Sequence, residues 1–314
     1  MWKAAHRCPL QPGSLRGRIA FMLLLIAGLG ANTPLASAQA LNWEGQTGIF
    51  VTPLAYTVPS HDSNFGLPSV GYHYLDGGQV LGGFHQVSIT EGALNRLEFG
   101  YTRDFQQAGS TAGLSGFWGQ GFNVFHGKFN FLRENTTKGA WLPALSLGFV
   151  ARTQVFNVTG AIQNQKTSNA DFYAVATKTL TQIPKLPMVF NFGFKATNAS
   201  LLGLAGNAPA YQGRLFGAAA FALKGPAKST IMLGSEVLQQ PRNIEGLPGA
   251  VIPTTITYAL RIVPAGTFPH EHGWGEDRPK LNIDLGLTQA AGNIAPGVNL
   301  DARHQFAFGI SYGF

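Results

Sequence analysis

The densest group of potential ligands in this chain is Pro269-His270-Glu271-His272, followed by Glu276 and Asp277. On an extended loop, His270 and His272 lie two residues apart and can chelate one divalent ion with the help of a carboxylate. The spacing is not the i, i+4 arrangement of a helical zinc site, so a solvated polar turn is the plainer reading. His61-Asp62 and His126 supply the residue types of a hydrolase base and its orienting carboxylate. His61-Asp62 precedes the first expected strand, however, and the chain carries no G-x-S-x-G, no H-E-x-x-H and no phosphate-cradling glycine loop. Asn157-Val158-Thr159 and Asn198-Ala199-Ser200 read as polar loop residues. The pattern points to neither a catalytic set nor a cofactor. What remains is a set of ionisable residues on one face of alternating segments: Arg96, Glu98, His126, Lys128, Arg152, Lys195, Glu236, Arg261 and Asp284.

Those segments are β-strands, because apolar and polar residues alternate with period two. In 96–105, Leu97, Phe99, Tyr101 and Phe105 share one face, while Arg96, Glu98, Thr102 and Asp104 share the other. Residues 255–263 repeat this, with Ile256, Tyr258, Leu260 and Ile262 set against Thr257, Ala259 and Arg261. The clear strands are 96–105, 124–133, 142–153, 188–196, 230–238, 255–263, 281–289 and 304–314; 65–75, 82–90, 171–178 and 214–223 are weaker. Together they make about twelve, an even number as expected of a single-chain bacterial barrel. Short links at 134–140, 180–187 and 224–228 alternate with long ones at 106–122, 154–170, 197–213, 239–254 and 290–303. The link 264–279 breaks the alternation, which leaves an insertion or a misassigned strand as its explanations.

Composition decides what such strands face. Charged residues are 12% of the chain, about half of the roughly 25% usual in soluble domains, yet no stretch after the amino end approaches the ~20 continuous apolar residues of a membrane helix. About twelve strands enclose too much space for their own aromatics to fill. The opposite face, rich in Gly, Ala, Ser, Asn and charges, would make a poor soluble exterior. Phe131, Trp141, Tyr258, Tyr312 and Phe314 lie near expected strand ends, where interface girdles sit. The expected fold is therefore an all-β, transmembrane, antiparallel up-and-down barrel with aromatics toward lipid and the ionisable set lining the lumen. A soluble periplasmic β-protein is the alternative.

Both ends support this. Lys3, Arg7, Arg16 and Arg18 precede an apolar run from Ile19 to Gly30, and Ala36-Ser37-Ala38 supplies a cleavage site, so residues 1–38 read as a secretory signal peptide. The whole chain has 22 Lys+Arg against 15 Asp+Glu; without the four basic signal residues the balance is 18 to 15, or +3. A nucleic-acid partner loses its main support. The only cysteine, Cys8, leaves with the signal. At the other end, Phe306, Phe308, Ile310, Tyr312 and Phe314 alternate with small or polar residues, and the chain stops on phenylalanine. This resembles the closing strand of bacterial outer-membrane β-barrels, in which a terminal aromatic is part of the insertion signal read by the assembly machinery. Residues 41–56 resemble the GxTGxxxxPxA-type opening of YjbH-like outer-membrane proteins associated with exopolysaccharide export, through Gly45, Thr47, Gly48, Pro53 and Ala55.

The chain thus divides into a signal peptide (1–38), a segment 39–63 that is either a periplasmic lead-in or a lumen plug, and a barrel (64–314). Of the two readings for the segment, the packed lead-in is the simpler. The expected protein is a non-enzymatic porin-like barrel of the Gram-negative outer membrane, a pore or export component for small solutes or polysaccharide. A closed structural or adhesion barrel is the alternative, and an outer-membrane hydrolase ranks third. A modest basic excess in the lumen would suit small anions or acidic polymers. The expected partners are outer-membrane lipid and lipopolysaccharide, the barrel-assembly machinery, and a secreted polysaccharide or small anionic solute.

Overall fold

A computed structural model describes residues 40–60, 63–111, 119–135, 141–181, 186–247, 249–250, 252–264, 281–295 and 298–314, with the backbone alone between 290 and 304. The signal peptide, His61-Asp62, and the His270/His272 group with Glu276 and Asp277 lie outside the described residues. The chain forms one closed antiparallel barrel of twelve strands in which each strand pairs with its sequence neighbours. These are β1 (Ser69–Asp76), β2 (Gly83–Ala93), β3 (Leu97–Gln107), β4 (Phe122–Leu132), β5 (Ala144–Val155), β6 (Thr167–Leu180), β7 (Met188–Ser200), β8 (Gly206–Lys224), β9 (Thr230–Leu238), β10 (Thr255–Val263), β11 (Leu281–Ala295) and β12 (Val298–Gly313). Two short helices, α1 (Gly78–Leu81) and α2 (Val158–Gln163), sit in links at the end away from the termini. β12 closes on β1, with Tyr312 opposite Val70 and Ile310 opposite Tyr72. No sheet edge is left, so main-chain ladder groups are satisfied all round the wall, as a hydrocarbon environment demands.

Alternation sets the faces as the composition requires. Phe192 is 60% exposed, whereas its neighbour Asn191 is 5% exposed. Val87, Ile89, Phe99, Phe125, Phe129, Phe194, Leu285, Leu287 and Phe306 all stand exposed on the outer wall. An apolar belt running round the barrel far exceeds what a soluble monomer shows to water, and identifies the outer face as lipid-facing. On β12, Phe306 is exposed while Ala307 and Ser311 are buried, and Phe314 just beyond it is exposed too. Phe308, Ile310 and Tyr312 are half-exposed on the same outward side.

Two of the links expected to be long are mostly strand. β7 runs to Ser200 and β8 starts at Gly206, continuing their ladder past a register shift through Ala199↔Asn207 and Ser200↔Gly206. β11 and β12 likewise extend over most of 290–303, as far as Ala295↔Val298. The sequence there is rich in small polar residues, and it is the neighbouring strand rather than an aromatic stripe that holds it extended. The link 264–280 remains long, yet β10 and β11 pair directly, with Ile262 opposite Ile283. Neither strand is misassigned, and the link is an insertion between true neighbours. At the same end, β2 and β3 join through the three residues Leu94, Asn95 and Arg96, the first two at positive φ, in a tight turn closed by the Arg96 amide donating to the Ala93 carbonyl at 3.1 Å.

Phe194 lies at the centre of β7 on the lipid face. Phe194→Arg is expected to destabilise the folded barrel in lipid vesicles by ~2–4 kcal/mol relative to Phe194→Leu. Urea titration followed by heat-modifiable gel migration measures this, and equal midpoints would contradict a lipid-facing β7.

Candidate functional site

Residues 40–58 lie inside the barrel rather than beside its mouth, which corrects the simpler lead-in reading. Leu41 and Phe50 are fully buried and Trp43 is 1% exposed, and Trp43 and Phe50 join a core with the inward side chains Phe84, Phe122, Val155, Phe216 and Leu238. The segment folds on itself through the bridges Leu41↔Thr47 and Gly48↔Pro53. Asn42 Oδ1 accepts from the amides of Glu44 (3.0 Å) and Gln46 (2.9 Å), which sets the first turn. Gly45 occupies that turn at φ +84°, and a Cβ there would collide with the side chains of Thr102 and Ser88. Only glycine lets the plug approach β2 and β3 so closely.

Among the wall's contacts with this segment, several centre on buried charged side chains. Glu98 on β3 accepts from the Thr47 amide (3.0 Å), the Thr47 hydroxyl and the Val58 amide (2.8 Å). Lys128 on β4 pairs with Glu98 at 2.9 Å and donates to the Thr47 carbonyl at 3.1 Å. Glu236 on β9 accepts from the amides of Val51 (3.0 Å) and Thr52 (2.8 Å) and from the Thr52 hydroxyl (2.6 Å). Arg261 on β10 pairs with Asp284 on β11 at 2.7 Å and donates to the carbonyls of Gly48 (3.1 Å) and Ile49 (2.8 Å). Arg152 on β5 joins Glu44 of the plug (2.6 Å) to Asp171 of the wall (3.0 Å), and Lys195 on β7 reaches the same Asp171 oxygen at 3.1 Å. A gap of about 20 Å³ lined by Gln46, Asp171, Tyr173 and Lys195 remains beside this group, room for about one water.

Where the plug leaves, Tyr56 donates to Glu134 (2.5 Å), lies 2.8 Å from the Thr179 hydroxyl, and so latches the segment to the inner rim. Burial first, and then its bond to Glu134, push the Tyr56 phenol well above its ordinary range.

Eight of the nine ionisable residues expected in the lumen are there and buried: Glu98, His126, Lys128, Arg152, Lys195, Glu236, Arg261 and Asp284. Arg96 is not among them. It lies in the turn before β3 and donates to the carbonyls of Asn130 (3.1 Å) and Phe131 (3.3 Å) at the rim. His126 is shut inside beside Thr90, 3.4 Å from its hydroxyl, with no route to lipid. The nine-residue set omits Glu44, Asp104 and Asp171, which are buried in the lumen too, although alternation puts Asp104 on the face of Glu98. Among the described residues the enclosed cations are Lys128, Arg152, Lys195 and Arg261, outnumbered by six carboxylates, Glu44, Glu98, Asp104, Asp171, Glu236 and Asp284. The expected basic excess, and with it the case for an anion path, is absent. Alternation on β6 places Asp171 with Tyr173 and Val175 and could have revealed it; Glu44 lies where no period exists.

The chain matches, over residues 44–251, the family described as "Protein of unknown function (DUF3034)". No curated protein matches it. Among solved structures it resembles Wzi, an outer-membrane protein involved in group 1 capsule assembly in Escherichia coli and described as a carbohydrate-binding β-barrel. That likeness is at 14% identity with a TM-score of 0.28, covering 74% of this chain and 52% of that one. The chain therefore spans about half the length of that structure.

Replacing Arg152 by methionine strips Glu44 of its ion-pair partner and leaves Asp171 with Lys195 as the cation beside it. Breaking such a buried group by removing one partner costs about 3–5 kcal/mol, whereas Arg96→Met at the rim is expected to stay within about 0.5 kcal/mol. Urea midpoints of the two variants, read from Trp43 fluorescence with the remaining tryptophans replaced, should separate clearly. Similar midpoints would place Arg152 outside the plug contact.

Proposed function

We propose that this chain, which belongs to the DUF3034 family, is a non-enzymatic outer-membrane β-barrel closed at rest by its own amino-terminal segment. It acts as a structural or interaction barrel rather than as a standing pore. The observation that carries the reading is the filled lumen: residues 40–58 are held by buried wall charges, and an apolar layer of Phe84, Phe122, Phe216 and Leu238 lies against them. The lipid-facing belt and the secretory pattern of the first residues support the outer membrane as its location. The aromatic alternation from Phe306 to Phe314 supports insertion by the barrel-assembly machinery. A hydrolase reading gains nothing from His126, which is enclosed beneath the plug.

One observation favours a second reading, gated passage of small solutes or polysaccharide. The plug enters and leaves at the same end: Leu41 lies by Ser311, near the last residue of β12, and Tyr56 by Glu134 at the adjoining rim. A hairpin so placed can withdraw without threading the barrel, and the YjbH-like opening motif falls within it.

Planar-bilayer recording tests the choice. The intact barrel is expected to give no single-channel steps, and deletion of residues 41–57 to give conducting openings. Steady ohmic conductance from the intact protein would end the closed-barrel reading, while brief openings abolished by cross-linking plug to wall would select the gated one.

A further inference from the structure

The outer wall is apolar almost throughout, which makes its exceptions informative. Among the described residues, Arg103 is the one cation on the outward face of the strands toward the loop end. Alternation on β3 places it between Tyr101 and Phe105, while Asp104 beside it turns into the lumen. No carboxylate therefore answers Arg103 on its own strand face. Asp76, at the end of β1, is occupied in accepting from the Gly78 amide at 2.8 Å.

The guanidinium is held in place rather than free to sweep. It donates to Asn123 Oδ1 at 2.9 Å and to the Gln120 carbonyl at 2.6 Å, and lies 5.5 Å over the Phe105 ring. Tyr101 donates to the same Asn123 oxygen at 2.8 Å. These two bonds use two of its five N–H groups. On the adjoining strand His85 faces the same way, opposite Phe105 in register. Its Nδ1 lies 2.7 Å from the Tyr72 hydroxyl, and its ring packs 5.0 Å from that of Tyr74. With Nδ1 accepting from Tyr72, Nε2 carries a proton and presents a second donor. Arg103 and His85 are diagonal neighbours across β2 and β3, a separation of roughly 7–8 Å.

A cation on the lipid side costs ~2–4 kcal/mol at mid-depth and about 0–1 kcal/mol near the interface. The girdle of Tyr72, Tyr74, Tyr101 and Phe105 marks that interface. Fixed N–H donors there, with Asp76 as the nearby acid and tied to the Gly78 amide, have the chemistry of a phosphate site, for which a planar guanidinium is well matched. We propose that the outward face of β1 to β4 at the loop end holds the phosphate-bearing headgroup of an outer-leaflet lipid, gripped by Arg103 and His85. This rests on the membrane reading above.

The test uses the full-length barrel in nanodiscs containing either bisphosphorylated lipid A or its dephosphorylated form. Native mass spectrometry after release reports the lipid retained, and gel heat-modifiability with protease protection reports insertion. The wild type is expected to retain the phosphorylated lipid about tenfold over the other, the size of one charge-assisted contact. Arg103→Leu is expected to abolish that preference and His85→Leu to reduce it, while Asn198→Leu on the far wall leaves it unchanged. An inserted barrel that retains both lipids equally, or whose Arg103→Leu variant keeps the preference, overturns the headgroup site alone. Failure to insert in either nanodisc instead overturns the membrane reading.

Discussion

A stretch of backbone without regular structure, enclosed in a barrel, brings its own amides and carbonyls away from water, and each must find a partner. That demand explains the charges in this lumen better than conduction does. Glu236 takes two consecutive plug amides, Glu98 takes two more, Arg261 takes the carbonyls of Gly48 and Ile49, and Lys128 takes that of Thr47. Ionised side chains make the stronger hydrogen bonds and reach farther than a neighbouring main chain can. The wall thus does for the plug what a sheet partner does for a strand, using side chains from several strands in place of one ladder.

The space for this comes from the wall's small residues. A Cβ at Gly71 would meet Ser88 and the plug's Leu41, and one at Gly309 would run into His73, whose Nε2 lies 3.0 Å from the Leu41 carbonyl. Larger residues are placed where the plug is not, as with Phe84 and Phe122 beyond it. Inward volume is therefore matched to the plug's path, which is why twelve strands can enclose so little open space.

Much of the wall was legible because a barrel strand has one face in oil and the other in a polar interior, and that contrast writes itself as alternation. Phe99 against Glu98 and Phe125 against His126 are examples where each residue's face follows from its neighbour's. Legibility failed where the contrast fades. Ala199, Ser200 and Asn207 have no apolar partner face, so the extension of β7 and β8 depends on pairing that sequence does not display. Arg96 shares the parity of Glu98 but falls in the turn, where parity no longer points inward. The plug was least legible: Glu44, Thr47 and Thr52 have no periodicity, because their positions are set by contacts with Thr102, Glu98 and Glu236, which lie 58, 51 and 184 positions away along the chain. The glycines and proline of 41–56 announced a break in the strands without saying where the broken piece would go.

The grips differ in what they would leave behind if the segment withdrew. Arg261 keeps Asp284, Lys128 keeps Glu98, and Asp171 keeps Arg152 and Lys195. These pairs are self-sufficient, so losing the plug costs them a few hydrogen bonds. Glu236 is different, since among the described residues its partners are the plug's own N–H and O–H groups, with no cation beside it. A carboxylate stripped of its donors in a closed interior, with no cation beside it, is among the most costly arrangements a protein can hold. Withdrawal is therefore tolerable only if water arrives at Glu236 as Thr52 departs, which makes unplugging and hydration of the lumen a single event. A barrel built this way rests shut because its closed state is the one in which that carboxylate is already solvated, by protein.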